Sequence, residues 1–379
     1  MSFRSKTAAY FSFLMQNVPH TRMDRAVLAV LGGISKLYEK GVEIKYSAFA
    51  AGKRQQEKLP AVVIGLGNIT IGGTGKTPTA CMLARIIQEQ GYRVALLNRG
   101  YRSQAEDQTA IMSDGTQLLL SAAEGGDEAC LMARSLPGIP VLVGKERAVS
   151  GRIAIDRYGA EVLILDDAFQ HWPLIRDLDI VLIDATNPFG NGYLLPRGIL
   201  REPLEHLDRA GLFIITKTDQ RDSDTIEHIY QTLRRYNHQA PIIEAVHQAR
   251  WCVPFMSWSC ARREDYKHYA HGGGRKGIAV SALGNPASFE RTVKEFGYEL
   301  VDTLRFDDHH QYTASDIEQM TLKAKSLGAI LITTEKDAVK ISEDYLNQYQ
   351  SPLYVLGIEI EITKGQDLLY TILHNVLGG

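Results

Sequence analysis

The stretch VVIGLGNITIGGTGKTP, residues 62–78, decides the reading of this chain. A β-branched apolar run ends there in a glycine-rich turn and closes on Gly75, Lys76 and Thr77. That is the pattern of a phosphate-binding loop. Gly72, Gly73 and Gly75 leave the backbone free to bring N–H groups around phosphate oxygens, Lys76 neutralises the β- and γ-phosphates, and the Thr77 hydroxyl ligates Mg²⁺. Residues 61–66 predict a buried strand, and residues 78–89 a helix whose positive end faces the anion. The loop departs from strict Walker A spacing at one place, where Thr70 stands for the first glycine. The competing reading is an ordinary glycine-rich strand-to-helix turn; three glycines followed by Lys-Thr between strand and helix weigh against it.

A chain of 379 residues is long for one domain, so two cores are expected. Its formal net charge of −2, with acids and bases interspersed, gives no basic field for nucleic acid. Cys81, Cys130, Cys252 and Cys260 form no CxxC pair and have no His at metal-ligand spacing, which favours the cytosol. No apolar run reaches the ~18 residues of a spanning helix, and no cleavable signal pattern is present.

The amino-terminal stretch differs from the rest. Short apolar runs at residues 8–15 and 26–34 lie among Arg4, Lys6, Arg22, Arg25, Lys36, Lys40 and Lys45. Two readings fit equally: helices lying in a membrane interface with cations on anionic headgroups, or core helices packed on the first domain. Residues 50–58 read as a polar connection into the first strand.

Further along, Arg99 and Arg102 fall just past a predicted strand, where open α/β sheets bind ligands. Asp127 and Glu128 follow Gly125-Gly126 at a helix entrance, where acids serve as caps more often than as catalysts. Residues 161–171, EVLILDDAFQH, read as a strand ending in Asp166-Asp167, a Walker B element that holds Mg²⁺. Thr216-Lys217-Thr218-Asp219 fits the TKxD pattern with which GTPases read guanine, but the switch glycine is missing after the metal-site acids. From residue 277 a second strand and helix alternation begins, with polar loops at Phe306-Asp307-Asp308-His309-His310 and at residues 333–337. The two histidines lack partners at zinc spacing, which favours a catalytic or orienting role.

These pieces together resemble the tetraacyldisaccharide 4'-kinase family, the lipid A kinases of Gram-negative bacteria. The carriers are GNITIGGTGKTP (67–78), NRGYRS (98–103), GGDEA (125–129), DDAFQH (166–171), LLPRGILREPL (194–204), FDDHHQYT (306–313) and TTEKDAVKI (333–341). The resemblance implies transfer of the γ-phosphoryl of ATP, with Mg²⁺, to the 4'-hydroxyl of a tetraacylated glucosamine disaccharide 1-phosphate. It implies a setting at the cytoplasmic face of the bacterial inner membrane, with peripheral attachment through the amino-terminal segment.

The expected fold class is α/β: a P-loop NTPase-like, mostly parallel sheet domain, a second, smaller α/β domain, and an amphipathic amino-terminal segment. The expected boundaries are 1–58 for that segment, 59–246 for the kinase domain, 247–276 for a strand linker and 277–379 for the smaller domain. By resemblance, Asp127, His309 and Lys76 are catalytic, Asp127 as base and His309 as its partner. Ile71, Gly72, Gly73, Thr74, Gly75, Lys76 and Thr77 bind nucleotide; Arg99, Arg102, Gln170, His171 and Arg201 bind the acceptor; Thr77, Glu128, Asp166 and Asp167 form the metal set. With Asp127 and His309 on opposite sides of the linker, domain closure would assemble the dyad. The alternatives are a P-loop GTPase or metal-insertion switch, and a membrane-bound nucleotide-gated adaptor.

Overall fold

The computed structural model describes residues 14, 21–101, 103–260, 266, 271–307 and 310–378. Its strands are β1 (Val62–Asn68), β2 (Val94–Asn98), β3 (Ala110–Ser113), β4 (Val141–Val143), β5 (Val162–Leu165), β6 (Leu178–Asp184), β7 (Leu212–Thr216), β8 (Ile242–Pro254), β9 (Lys276–Ser281), β10 (Glu299–Arg305), β11 (Ile330–Thr334) and β12 (Leu353–Lys364). The helices that matter here are α1 (Arg22–Ala50), α2 (Lys76–Glu89), α3 (Asp127–Ser135), α4 (Arg147–Tyr158), α5 (Ser223–Tyr236), α6 (Pro286–Glu295), α7 (Ala314–Leu327), α8 (Glu335–Ala338), α9 (Glu343–Tyr349) and α10 (Gln366–Leu377). The chain divides into two compact units, one of residues 1–76, 161–246 and 362–379, the other of residues 77–160 and 247–361. Both unit boundaries in the second half of the chain fall inside long strands, β8 and β12.

In the first unit, parallel strands run in the order β8, β7, β6, β1, β5, with β1 paired to β6 on one side and β5 on the other. The central position of β1 explains its alternating glycines. A Cβ on Gly67 would sit 2.6 Å from Phe169 Cβ and 2.7 Å from its backbone nitrogen, and one on Gly65 would sit 2.5 Å from Arg176 Cδ. Only glycine lets those groups approach β1. Ile69, Phe169, Val181, Phe213, Ile229 and Leu233 join in the core beneath.

The apolar run at 26–34 opens one continuous helix that extends through Gly32-Gly33 to Ala50. The helix thus carries on past the apolar run and ends where the polar connection was read; the run at 8–15 lies outside the described residues save Leu14. A capping box starts α1, with Thr21 Oγ1 accepting from Asp24 N at 3.0 Å and the Asp24 carboxylate accepting from Thr21 N at 2.8 Å. Past residue 34 the strong helix formers Lys36, Leu37, Glu39 and Lys40 carry it on, and Tyr46 and Phe49 pack their rings on Trp172.

In the second unit, β2, β4 and β3 are neighbours in that order, with β3 antiparallel. The carboxyl-terminal part pairs β10, β9, β11 and β12 in parallel, flanked by α6 and α7, which is the alternation the sequence predicts from residue 277. Trp251, Val253, Ile278, Val280, Leu331 and Val355 fill its core.

Candidate active site

The end of β1 feeds the glycine loop. Gly72 and Gly75 stand at φ +125° and +90°, conformations that other residues rarely adopt, and a Cβ at Gly72 or Gly73 would meet nothing within 4 Å. The cradle is therefore open beside the backbone, and α2 begins at Lys76, so the positive end of the helix follows directly on the loop. Thr70 serves the loop's base: Asn68 Nδ2 donates to its carbonyl at 2.7 Å, and its backbone bridges Leu200.

Lys76 and Arg201 converge on Asp167. Lys76 Nζ lies 3.6 Å from Asp167 Oδ1 and donates to Asn68 Oδ1 at 3.3 Å. Arg201 holds the same carboxylate with both arms, Nη1 to Oδ1 at 2.7 Å and Nη2 to Oδ2 at 3.2 Å. Two cations thus share the Asp167 carboxylate. Asp167 itself stands at φ +50°, and Asp166 beside it is buried, its Oδ1 accepting from Asp167 N at 3.0 Å. Gln170 Nε2 donates to Asn68 O at 3.0 Å and to Glu202 Oε1 at 2.8 Å, while His171 N caps the local turn on Ala168 O. Glu202 is wholly buried and also receives Arg209 Nη2 at 2.8 Å and His206 Nδ1 at 2.7 Å.

A second ionic group supports the loop. Lys217, at φ +58°, donates to Gly73 O at 3.1 Å and pairs closely with Asp184; Thr216 Oγ1 donates to Thr74 O at 3.0 Å. The TKxD segment thus holds the phosphate loop's backbone.

In the second unit, Arg99 is paired with Glu106 at 2.9 Å and faces the Tyr101 ring. Asp127 opens α3 directly after Gly126, at φ +98°. Glu128 Oε1 lies 3.8 Å from Lys336 Nζ, and α3 packs on α8. The segment carrying Asp127 and the TTEKDAVK segment belong to one unit. Asp337, buried, accepts from Ala282 N at 3.1 Å and Thr334 Oγ1 at 2.8 Å, and pairs with Lys340 at 2.7 Å. Tyr312 lies beside that pair, its phenol pushed up by burial and then by Asp337. His310 stacks on Phe306 at 4.7 Å and meets Asp316 at 3.0 Å. His309 and Arg102 lie outside the described residues.

The structure brings Lys76, Asp167 and Arg201 together, with Asp166 beside them, and adds Asn68, Glu202 and Lys336, which the sequence reading did not assign to the site. Asn68 and Glu202 stood inside the motifs GNIT and LREPL, and that was the available signal. Among the described residues no group of three or more His, Cys, Asp or Glu is gathered as a preformed metal site. The residues nevertheless fit ATP with Mg²⁺. Thr74 Oγ1 is buried without a protein partner at the cradle, and Asp166 and Asp167 offer the hard oxygen donors that Mg²⁺ takes alongside phosphate.

An open parallel sheet, a glycine cradle at a helix start, a lysine within it and paired aspartates at the neighbouring strand end define a P-loop phosphotransferase. The particular family follows from comparison. The family model for tetraacyldisaccharide-1-P 4'-kinase matches residues 27–377. The chain is 39% identical over 383 residues to the tetraacyldisaccharide 4'-kinase of Halothermothrix orenii, covering 98% of each chain, and 38% identical over 369 residues to that of Syntrophus aciditrophicus, covering 95% and 96%. It also matches the crystal structure of LpxK from Aquifex aeolicus in complex with ATP, with a TM-score of 0.72, 27% identity, and 93% and 99% of the two chains covered. The chain belongs to the tetraacyldisaccharide-1-P 4'-kinase family. It is an ATP- and Mg²⁺-dependent kinase of lipid A biosynthesis, acting on the 4'-hydroxyl of tetraacyldisaccharide 1-phosphate, and the GTPase reading falls.

Proposed function

We propose that Asp127 takes the proton of the 4'-hydroxyl with His309 as its partner, and that Lys76 and Arg201 hold the transferring phosphate. The observation that carries the phosphate side is the convergence of Lys76 and Arg201 on the Asp167 carboxylate and on Asn68 Oδ1 beside the open loop. Bound Mg²⁺ would be held by Asp166, Asp167 and Thr77 with Glu128 in reserve, and would supply neutralisation of the phosphate oxygens. Arg99, Arg102 and His171 are assigned to the acceptor's polar end. Gln170, whose amide is engaged by Asn68 and Glu202, supports the site from within. Labelled γ-phosphate transfer from ATP to the acceptor in mixed micelles tests this. Label should appear in the lipid and be lost in Lys76→Ala and Asp127→Asn; transfer retained in Asp127→Asn would dismiss that base.

We further propose peripheral attachment through α1 at the cytoplasmic face of the inner membrane. Met23, Val30, Leu37 and Ile44 recur at heptad spacing and are 72%, 67%, 71% and 72% exposed. Arg22, Arg25, Lys36 and Lys40 lie on the same helix, the composition of a helix in an anionic interface. No helix among the described residues is long and apolar enough to cross a membrane. Val30→Glu with Leu37→Glu should abolish flotation with anionic vesicles; undiminished flotation would refute the attachment.

A further inference from the structure

The segment of residues 194–202 lies between α1 and the phosphate loop, with hydrogen bonds to both. On one side Arg201 N donates to Ile69 O at 2.8 Å and Ile71 N donates to Ile199 O at 2.8 Å, so the segment forms a short strap against the loop's own backbone. On the other side, Ser35 Oγ of α1 donates to Leu194 O at 2.9 Å, and Tyr38 OH donates to Arg201 O at 3.0 Å. The strap has little freedom between these ends. Gly198 is hemmed so closely that a Cβ would fall 2.1 Å from Tyr193 O, Leu195 N and Leu200 O close on one another at 2.9 Å, and Gly32 of α1 leaves room for Arg197, whose Nη1 would stand 2.9 Å from a Cβ there.

We propose that Ser35 and Tyr38 are positioning residues of the phosphate site. Seated on the strap, they fix where Arg201 reaches Asp167, so nucleotide affinity depends on the seating of α1. The inference rests on the reading of Arg201 as part of the phosphate site. Two features of the chemistry support it. Ser35 is 5% exposed and donates to the Leu194 carbonyl beside Gly198 N, which reaches it at 3.0 Å, so its loss removes a buried tie between α1 and that end of the strap. Tyr38 remains a protonated donor throughout the neutral range, since burial raises its phenol and Arg201 only partly offsets that. The same helix that presents the exposed apolar stripe thus holds the strap from its other face, which links the lipid-facing element to the nucleotide end of the reaction.

The experiment uses the full chain in detergent micelles without acceptor and measures the Kd for MgATP by competition with a fluorescent nucleotide. Ser35→Ala with Tyr38→Phe should weaken MgATP about 3- to 10-fold, the scale of one or two lost hydrogen bonds. The KM for the acceptor should stay within about twofold, and flotation should be unchanged. Arg201→Lys should weaken MgATP by itself, because lysine cannot make the two-armed contact. Adding the Ser35 and Tyr38 changes to Arg201→Lys should cost little more, since all act through one group; a merely structural role would be additive. Unchanged Kd in the double variant, or full additivity, overturns the proposal while Arg201→Lys still reports an intact site reading. Unchanged Kd in Arg201→Lys overturns the site reading and this proposal with it. Tyr38→Phe alone, which removes one oxygen at a partly exposed rim, keeps the test available if the double variant folds poorly.

Discussion

Lys217→Met tests what supports the phosphate loop. Lys217 and Asp184 have side chains only 6% and 12% exposed, and removing one partner of a buried pair costs about 3–5 kcal/mol. Asp184 keeps hydrogen bonds from Thr186 N at 2.8 Å and Thr186 Oγ1 at 2.6 Å, which places the loss near the low end, about 3 kcal/mol. The loop feels a separate effect, because Gly73 O loses its charged donor at 3.1 Å. That should raise the KM for MgATP about tenfold. Adding Asp184→Leu removes the stranded carboxylate and should recover most of the stability but none of the affinity, separating the two effects. Denaturant midpoints and steady-state kinetics with ATP and GTP read both. Stability within about 0.5 kcal/mol and an unchanged KM would refute the reasoning. A swing in the ATP-to-GTP ratio would instead assign Lys217 to the base.

Gly67→Ala should destabilise the protein by about 1–3 kcal/mol or more, because the new methyl meets the Phe169 backbone and that neighbour cannot yield. Gly73→Ala, where the space is open, should leave the melting temperature alone and weaken nucleotide binding; thermal unfolding and nucleotide titration check the pair. Burial pushes the Cys252 thiol up to about 12, so the folded protein should resist iodoacetamide there at pH 8 and react only in denaturant, as read by peptide mass spectrometry.

What was legible in the sequence was whatever local order encodes. The run ending at Asn68, the glycines with Lys76, and the strand ending at Asp166 each carry their reading within a dozen residues, and the structure returns them as β1, the loop with α2, and β5. The helix α5 carried a local signal too, with Asp222 as its cap and Ile226, Ile229, Tyr230 and Leu233 at helical spacing, but no motif drew the reading there. The pairings that hold the site were not legible, because they depend on register. Asp184 meets Lys217 since β6 and β7 align with Asp184 opposite Thr216, a fact written in neither strand alone. Glu202 looks like an ordinary loop acid until Gln170, His206 and Arg209 close around it. TKxD shows the hazard most clearly: the same four residues that suggest a base reader hold the loop's backbone through Lys217 and Thr216.

The charges at the loop are arranged for a phosphate ligand that arrives with its own cation. Lys76 and Arg201 share the Asp167 carboxylate, and Asp166 adds a second, buried carboxylate beside it. A bare triphosphate would draw both cations toward its own oxygens and leave two carboxylates facing them. Each such like-charge contact at ~4 Å costs about 4 kcal/mol at an effective dielectric of ~20. Two cations set against two carboxylates leave no surplus positive charge to offset that, whereas a nucleotide arriving with a divalent cation would give the carboxylates a partner and free Lys76 and Arg201 for the phosphate. In the proposed site Arg201 would exchange partners during binding, and its backbone carbonyl is the one Tyr38 holds while its N–H donates to Ile69. A side chain that has to swing between two anions is best anchored at its backbone on both sides. The strap between α1 and the loop provides that anchorage, which gives a physical reason for an amino-terminal helix to be built into a nucleotide site.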